Sequence, residues 1–215
     1  MKTDLFETLG PQKIIDRLGA QVTPERWAKI QRVASLRLPQ VSIVLEDIYD
    51  RGNASAVMRS AEAFGLYQMH MIERQEKFKE SKRVTQGAHK WLQIKKWDST
   101  LKCVEQLKKE GRKVYVTHLD PHALPLQDVP LDEPIALCFG NEKDGATQEL
   151  ISLADKTVFI PMRGFVQSFN ISVAAAICFY DLQKRLAPPV NTDPRLIAYY
   201  LTQTVDHWER YFEER

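Results

Sequence analysis

The chain lacks the marks of several large protein classes. No apolar run approaches the ~20 residues that a membrane span needs. The longest, around Val173 to Tyr180, is interrupted by small residues and ends in Asp181. Met1 to Gly10 carries Asp4 and Glu7 and has no apolar segment of the secretory type, so the expected location is the cytoplasm and no membrane partner is expected. Three cysteines, Cys103, Cys138 and Cys178, lie far apart in apolar patterns, and no pair has metal-ligand or redox spacing. They read as buried reduced thiols. His70, His89, His118, His122 and His207 show no H-E-x-x-H or related arrangement, which argues against a metal enzyme.

The common nucleotide and nucleophile signatures are missing as well. No G-x-G-x-x-G follows the first strand, and there is no G-x-x-x-x-G-K-[ST], which argues against Rossmann and P-loop enzymes. No G-x-S-x-G nucleophile elbow occurs. Repeats and low-complexity tracts are absent too.

What remains is an ordinary globular balance: 215 residues, 44% hydrophobic, 27% charged, net charge +2. That length suits one α/β domain with short appendages. The charge is unevenly spread. Residues 74–113 hold thirteen Lys/Arg against five Asp/Glu, residues 1–38 hold seven against four, and residues 188–215 hold three against five. A basic stretch on a near-neutral chain suits either a nucleic-acid footprint or a solvated lysine-rich surface.

Residues 1–38 read as helical, with Pro24-Glu25 opening a helix whose Trp27, Ile30, Val33 and Ala34 fall at helical spacing. Val41 to Tyr49 reads as a buried strand. A helix capped by Asn53 or Ser55 and ended by Gly65 follows, then a strand over Leu66 to Ile72. Glu73 to Ala88 is polar, basic and aperiodic, and reads as a mobile loop. Leu92 to Trp97 is strand-like. Ser99 caps a helix to Glu110 with Leu101, Val104 and Leu107 inward. Lys113 to His118, Ile135 to Phe139 and Thr157 to Met162 complete the strands. Helices are expected over Ala146 to Ala154, Asn170 to Leu186 and Pro194 to Phe212. The fold class is therefore α/β: a mostly parallel sheet with helices on both faces. Its divisions are a basic helical extension (1–38), a central domain (39–187) and a helical tail (188–215).

Ligands of open α/β sheets collect at the carboxyl ends of the strands. Three polar or glycine-rich segments lie there: Arg51 to Arg59, Gly140 to Gly145 and Pro161 to Asn170. Taken alone, Asn53, Ser168 and Asn170 are equally good helix caps, Glu142 a turn carboxylate and Arg59 a solvated helix arginine.

Three segments together carry a resemblance: Asn53-Ala-Ser-Ala-Val-Met-Arg59 with Ala-Phe-Gly65, Cys138-Phe-Gly-Asn-Glu142-Lys-Asp-Gly145, and Ile160-Pro-Met-Arg-Gly-Phe-Val-Gln-Ser168-Phe-Asn170-Ile-Ser-Val-Ala-Ala-Ala176. In this order and spacing they resemble the TrmH/SpoU branch of the SPOUT methyltransferases, over about residues 26–186. The resemblance implies a deep C-terminal trefoil knot, a homodimer, and S-adenosylmethionine as methyl donor. It implies 2′-O-methylation of an RNA ribose without a metal. The stretches QVSIVLEDIYDRGNASAVMRSAEAFG and GAHKW are most similar to the members acting on guanosine 18 in the tRNA D-loop. An rRNA ribose is the alternative substrate, and a non-catalytic RNA-binding protein on the same scaffold is the second.

Carried over by position, the resemblance implies catalytic roles for Asn53, Arg59, Glu142, Ser168 and Asn170. It implies cofactor contacts from Thr117, Gly140, Ile160 and Phe169. Lys90, Arg26, Lys29, Arg32, Arg37 and Arg163, with the basic loop 73–83, are candidates for RNA contact. Arg59 holds its protons to a pKa above ~12, so orienting a phosphate and relaying a proton suits it better than acting as a simple base. Two departures stand out. Gly52 occupies a position where relatives usually carry histidine, and Phe165 and Phe169 replace commoner Met and Leu.

Overall fold

The computed structural model describes residues 2–74 and 82–212. The chain divides into two units, Leu38–Ala187 and a second made of Met1–Arg37 with Pro188–Arg215.

The larger unit is built on β1 (Val41–Glu46), β2 (Gln68–Ile72), β3 (Gln93–Trp97), β4 (Lys113–Thr117), β5 (Leu124–Pro125), β6 (Ile135–Phe139) and β7 (Lys156–Phe159). They form one sheet in the order β3-β2-β1-β6-β4-β7-β5. Every pairing is parallel; Val44, for example, sits opposite His70 on one side and Cys138 on the other. β1 and β6 are buried along their whole length, as suits the apolar run of β6 and the largely apolar β1, strands covered on both faces.

The covering helices are α4 (Arg51–Ala63), α5 (Lys82–Thr85), α6 (Thr100–Lys109), α7 (Gln148–Leu153) and α8 (Ile171–Arg185). Strand side chains alternate between faces. Val44, Val114, Val116, Ala136 and Cys138 pack with Cys103, Val104 and Leu107 of α6 and Leu150 of α7. On the other face α4 packs against α8, and Phe139 meets Phe179 edge-on at 6.0 Å. Each fully buried Val, Leu or Phe contributes about 1.5–3 kcal/mol. At the amino ends of the strands, Arg112 donates to the carbonyls of Pro39, Gln40 and Ile135 and to the side chain of Gln68. That guanidinium ties the starts of β1, β2 and β6 together, opposite the end where the three sequence segments lie.

Several expectations need correction. In α6 the inward residues are Thr100, Cys103, Val104 and Leu107, whereas Leu101 is 42% exposed. The loop expected over 73–88 contains α5, and a 3-10 turn follows at Ala88–Trp91; residues 75–81 lie outside the described residues. Between β4 and β6, where no strand was expected, the short strand β5 extends the sheet beyond β7.

The second unit comprises α1 (Lys2–Leu9), α2 (Pro11–Gly19), α3 (Pro24–Ser35) and α9 (Pro194–Thr204). Proline stands in the first turn of α2, α3 and α9, where its missing N–H costs nothing. Thr23 and Asp193 cap α3 and α9 by accepting from Arg26 N and Arg195 N. Ile14, Leu18, Ile30, Ala34, Leu196 and Leu201 are buried. The helix expected over Pro194 to Phe212 breaks after Thr204, where Val205 is extended (φ −93°, ψ 112°), and resumes as a 3-10 turn at Trp208–Phe212 just after His207, which has a left-handed φ of 52°. Among the described residues no helix is long and apolar enough to cross a membrane.

Candidate active site

β1, β6 and β7 deliver the three segments to one edge of the sheet, since all their strands run the same way. After β1 the chain turns and Asp50 caps α4, its Oδ1 accepting from Gly52 N at 2.5 Å and Asn53 N at 3.0 Å. The cap is therefore Asp50, and the expected caps Asn53 and Ser55 lie within the helix. That releases the Asn53 side chain. Gly52 leaves the cap unobstructed, for a Cβ there would stand 2.8 Å from Asp50 Oδ1.

After β6, Asn141 and Gly145 exchange two 3.1 Å backbone hydrogen bonds, and Asn141 Oδ1 accepts from Lys143 N and Asp144 N. Gly145 supplies the positive φ of 71°. Gly140 is forced by crowding: a Cβ there would lie 2.0 Å from Ala146 N and 2.1 Å from Gly145 C. The hairpin holds Glu142 against the β1 loop. Its carboxylate accepts from Tyr49 N at 3.2 Å, Asp50 N at 3.3 Å and Asn53 Nδ2 at 2.9 Å.

After β7, the exposed segment 161–170 leads into α8, whose cap is Asn170. Asn170 Oδ1 accepts from Ser172 N and Oγ, and Asn170 Nδ2 donates to Asn53 Oδ1 at 3.0 Å. Glu142, Asn53 and Asn170 thus form one hydrogen-bonded chain through three segments distant in sequence. Capping and site geometry coexist in Asn170.

Arg59 and Ser168 stand apart from this chain. Both are exposed, and among the described residues neither hydrogen-bonds to Asn53, Glu142 or Asn170. Arg59 follows Asn53 by six residues, about 120° round a helix of 3.6 residues per turn. Thr117, Gly140 and Ile160 sit at or just beyond the carboxyl ends of β4, β6 and β7, three neighbouring strands. Thr117 Oγ1 donates to the Cys138 carbonyl at 3.1 Å. Ile160 is half-buried, and Phe169 is 38% exposed.

Among the basic candidates, Arg26, Lys29 and Arg32 are exposed along α3, Lys90 is exposed on the turn before β3, and Arg163 is exposed in the 161–170 segment. Arg37 is different. It is 2% exposed, its Nε donates to Tyr200 Oη at 2.7 Å, and its guanidinium lies 5.5 Å from that ring centroid. A buried guanidinium held by its own tyrosine has no free face for RNA, so Arg37 leaves the candidate set.

The sequence reading missed a cluster at the end of β1. Glu46 and Asp47 are 1% and 6% exposed. Glu46 accepts from Thr100 Oγ1, Thr147 N and Thr147 Oγ1 at 2.8 to 2.9 Å. Asp47 accepts from the Arg74 backbone and guanidinium. Burial acts to lower the Arg74 pKa, but Asp47, Glu46 and Glu149 outweigh it and hold the guanidinium charged. The signal was two acids closing an apolar strand, a pattern that needs buried partners.

The model of the SpoU rRNA Methylase family matches residues 40–180. The chain belongs to the SpoU methylase family. The match runs from the start of β1 into α8 and takes in Asn53, Glu142 and Asn170. Relatives include the tRNA (guanosine(18)-2'-O)-methyltransferase of Borreliella burgdorferi, 38% identical over 81% of this chain and 80% of that one. The enzyme of the same name from Thermus thermophilus is 32% identical over 87% and 97%. The 23S rRNA (guanosine(2553)-2'-O)-methyltransferase RlmP of Bacillus subtilis is 32% identical over 75% and 66%. Among solved structures, the TrmH/SpoU tRNA modifying enzyme of Aquifex aeolicus superposes with a TM-score of 0.76 at 26% identity, covering 89% of this SpoU methylase and 98% of that chain.

Proposed function

We propose that this SpoU methylase transfers a methyl group from S-adenosylmethionine to the 2′-hydroxyl of guanosine 18 in tRNA. The observation that carries the reading is the Glu142–Asn53–Asn170 chain, which joins the family's three segments at one sheet edge. Relatives named for this tRNA position, at 32–38% identity over most of the chain, favour tRNA over rRNA.

The ends of β4, β6 and β7 suit the methyl donor. Thr117, Gly140, Ile160 and Phe169 offer apolar surface beside backbone groups and no charged side chain, which is what an adenine slot needs. Bound there, the donor supplies a sulfonium methyl already activated for displacement. The protein's task is then to hold the ribose oxygen in line and to take up its proton. Asn53 and Asn170 are fixed by each other and by Glu142, so they present their amides to the ribose with little freedom left to lose. Arg59 and Ser168 complete the site from the RNA side, Arg59 orienting a phosphate and relaying the hydroxyl proton to it, the guanidinium giving one N–H proton to the phosphate oxygen as it takes up the one from the ribose. No metal is required.

In this reading residues 39–187 are the catalytic domain, knotted by threading of its C-terminal part. Residues 1–38 and 188–215 are its extensions, and Arg26, Lys29, Arg32, Lys90 and Arg163 are each candidates for contact with the RNA backbone. The enzyme works in the cytoplasm as a homodimer. Val173 and Tyr180, 46% and 56% exposed on α8, supply apolar surface for a second copy.

The test is incubation with methyl-labelled S-adenosylmethionine and an unmodified tRNA transcript, followed by mapping of the label. A 2′-O-methyl at guanosine 18 is expected. No transfer from a donor verified as active overturns the reading, and label appearing only in 23S rRNA moves it to that substrate. Transfer undiminished in Arg59→Ala removes the role given to Arg59.

A further inference from the structure

Among the described residues Glu46, Asp47 and Arg74 hydrogen-bond to none of Asn53, Arg59, Ser168 or Asn170, yet they hold the start of the loop that leads to Asn53. Asp47 has a φ of 47°. A side-chain-bearing residue rarely takes this left-handed conformation, and it persists only where its surroundings hold it. Here the hold is explicit. Asp47 N donates to the Ile72 carbonyl at 2.9 Å. Asp47 Oδ1 accepts from Arg74 N at 2.8 Å, and Oδ2 accepts from Arg74 Nε at 2.9 Å and Nη2 at 2.7 Å. Arg74 also reaches Glu46 Oε1 at 3.6 Å and Glu149 Oε2 at 3.2 Å. Two consecutive buried carboxylates need a counter-charge, and the Arg74 guanidinium faces both.

The left-handed turn at Asp47 sets where the next residues point. Two positions later Tyr49 N, and then Asp50 N, meet the Glu142 carboxylate, and Asp50 caps the helix that displays Asn53. The same cluster fixes the opposite wall. Glu46 binds Thr147, which caps α7 directly after the hairpin bearing Glu142. Both sides of the Asn53–Glu142 contact are therefore anchored on Glu46, Asp47 and Arg74.

We propose that Asp47 and Arg74 are positioning residues for methyl transfer, acting through the 47–53 turn on Asn53 and Glu142. The proposal rests on the methyltransferase reading above. Arg74→Met is expected to lower kcat about 10- to 100-fold, with KM for tRNA and Kd for S-adenosylmethionine changed less than about threefold, because the contact is felt mainly where geometry is tightest. Asp47→Asn keeps an acceptor for Arg74 N and a side chain tolerant of left-handed φ, so it retains most activity; Asp47→Ala keeps neither and matches Arg74→Met.

A coupled cycle with Asn53→Ala discriminates positioning from mere stability. If Arg74 acts through Asn53, its replacement costs little more once Asn53 is gone. Equal losses in both backgrounds overturn the proposal, as does an unchanged kcat in Arg74→Met. Amide hydrogen exchange gives a readout independent of activity: in Arg74→Met, Tyr49 and Asp50 exchange faster while the amides of β1 stay protected. Uniform loss of protection, or loss of folding in both Arg74→Met and Asp47→Ala, overturns it too. Wild-type protein that transfers no methyl to RNA refutes the functional reading alone, and the exchange experiment still decides the positioning claim.

Discussion

Asn53 Nδ2 donates to Glu142 Oε1 at 2.9 Å across a sequence separation of 89 residues. This contact makes a substitution of nearly equal size the most damaging one. Asn53→Asp replaces the donor by a second carboxylate facing Glu142, so it both loses a hydrogen bond to a charged group and adds repulsion. The hydrogen bond alone is worth about 1.5–3 kcal/mol, or roughly 10- to 100-fold in rate if expressed in the transition state. Single-turnover methyl transfer is expected to fall in the order wild type, Asn53→Ala, Asn53→Asp. Equal activity in the two variants means that Glu142 does not feel the charge at position 53.

Gly140→Ala is a folding lesion. The new Cβ meets backbone atoms at 2.0 and 2.1 Å, which no rotamer change relieves. Forcing the hairpin apart costs about 3 kcal/mol or more on the overpacking scale. Gly164 provides the control, because a Cβ there meets nothing within 4 Å. Urea unfolding should place Gly164→Ala within about 0.5 kcal/mol of wild type. A Gly140→Ala protein of normal stability means that the hairpin is looser than the crossing at Gly140 indicates.

Six of the seven strands and the three site segments were readable in the sequence because each is a local signal: a short stretch rich in apolar or β-branched residues, or a polar or glycine-rich segment directly after one. Which side chain does what was less readable. Leu101 was placed inward beside Val104 and Leu107, but Cys103, Val104 and Leu107 already fall within about 100° of arc, and Leu101 lies well outside it at 100° per residue. Asn53 read as a cap because a capping residue was needed near it; Asp50, three residues earlier, fills that need. Arg37 read as an RNA contact because nothing local shows that Tyr200, 163 residues away, will take its Nε. The Glu46–Asp47–Arg74 cluster depended on β2 ending beside β1, a tertiary fact that periodicity does not carry.

His70 makes stability pH-dependent in a defined window. Burial pushes its pKa down to about 4; Glu110 opposes this in part, while Lys95 and Arg112 add to it. Trp97 Nε1 donates to His70 Nδ1 at 3.0 Å, which requires the neutral ring. The unfolded chain, with a pKa near ~6.5, binds the proton first as pH falls. The contribution is therefore fully present above about pH 6.5 and is lost as pH falls toward about 4, roughly 3 kcal/mol at most for such a shift. Denaturant titrations should show His70→Phe less stable at neutral pH, for Trp97 loses its acceptor, but with a flatter slope between pH 6.5 and 4. An unchanged slope assigns the pH dependence to other groups.

The two kinds of arginine at the amino-terminal end make opposite predictions. Arg26 and Arg32, with Lys29, are exposed on α3, whereas Arg37 is buried against Tyr200. Replacing the exposed three by glutamine is expected to weaken tRNA binding and to lower the slope of log affinity against log salt by about 2–3, since each phosphate contact contributes about 0.7–0.9. Stability should change little. Arg37→Met should leave the salt slope untouched and cost about 1.5–3 kcal/mol in unfolding, because the Tyr200 hydroxyl loses a charged donor in a buried setting. Filter binding over a salt series, with urea unfolding of the same proteins, separates the two. A salt slope that drops in Arg37→Met and holds in the triple variant would reverse the assignment and return Arg37 to the RNA-binding face.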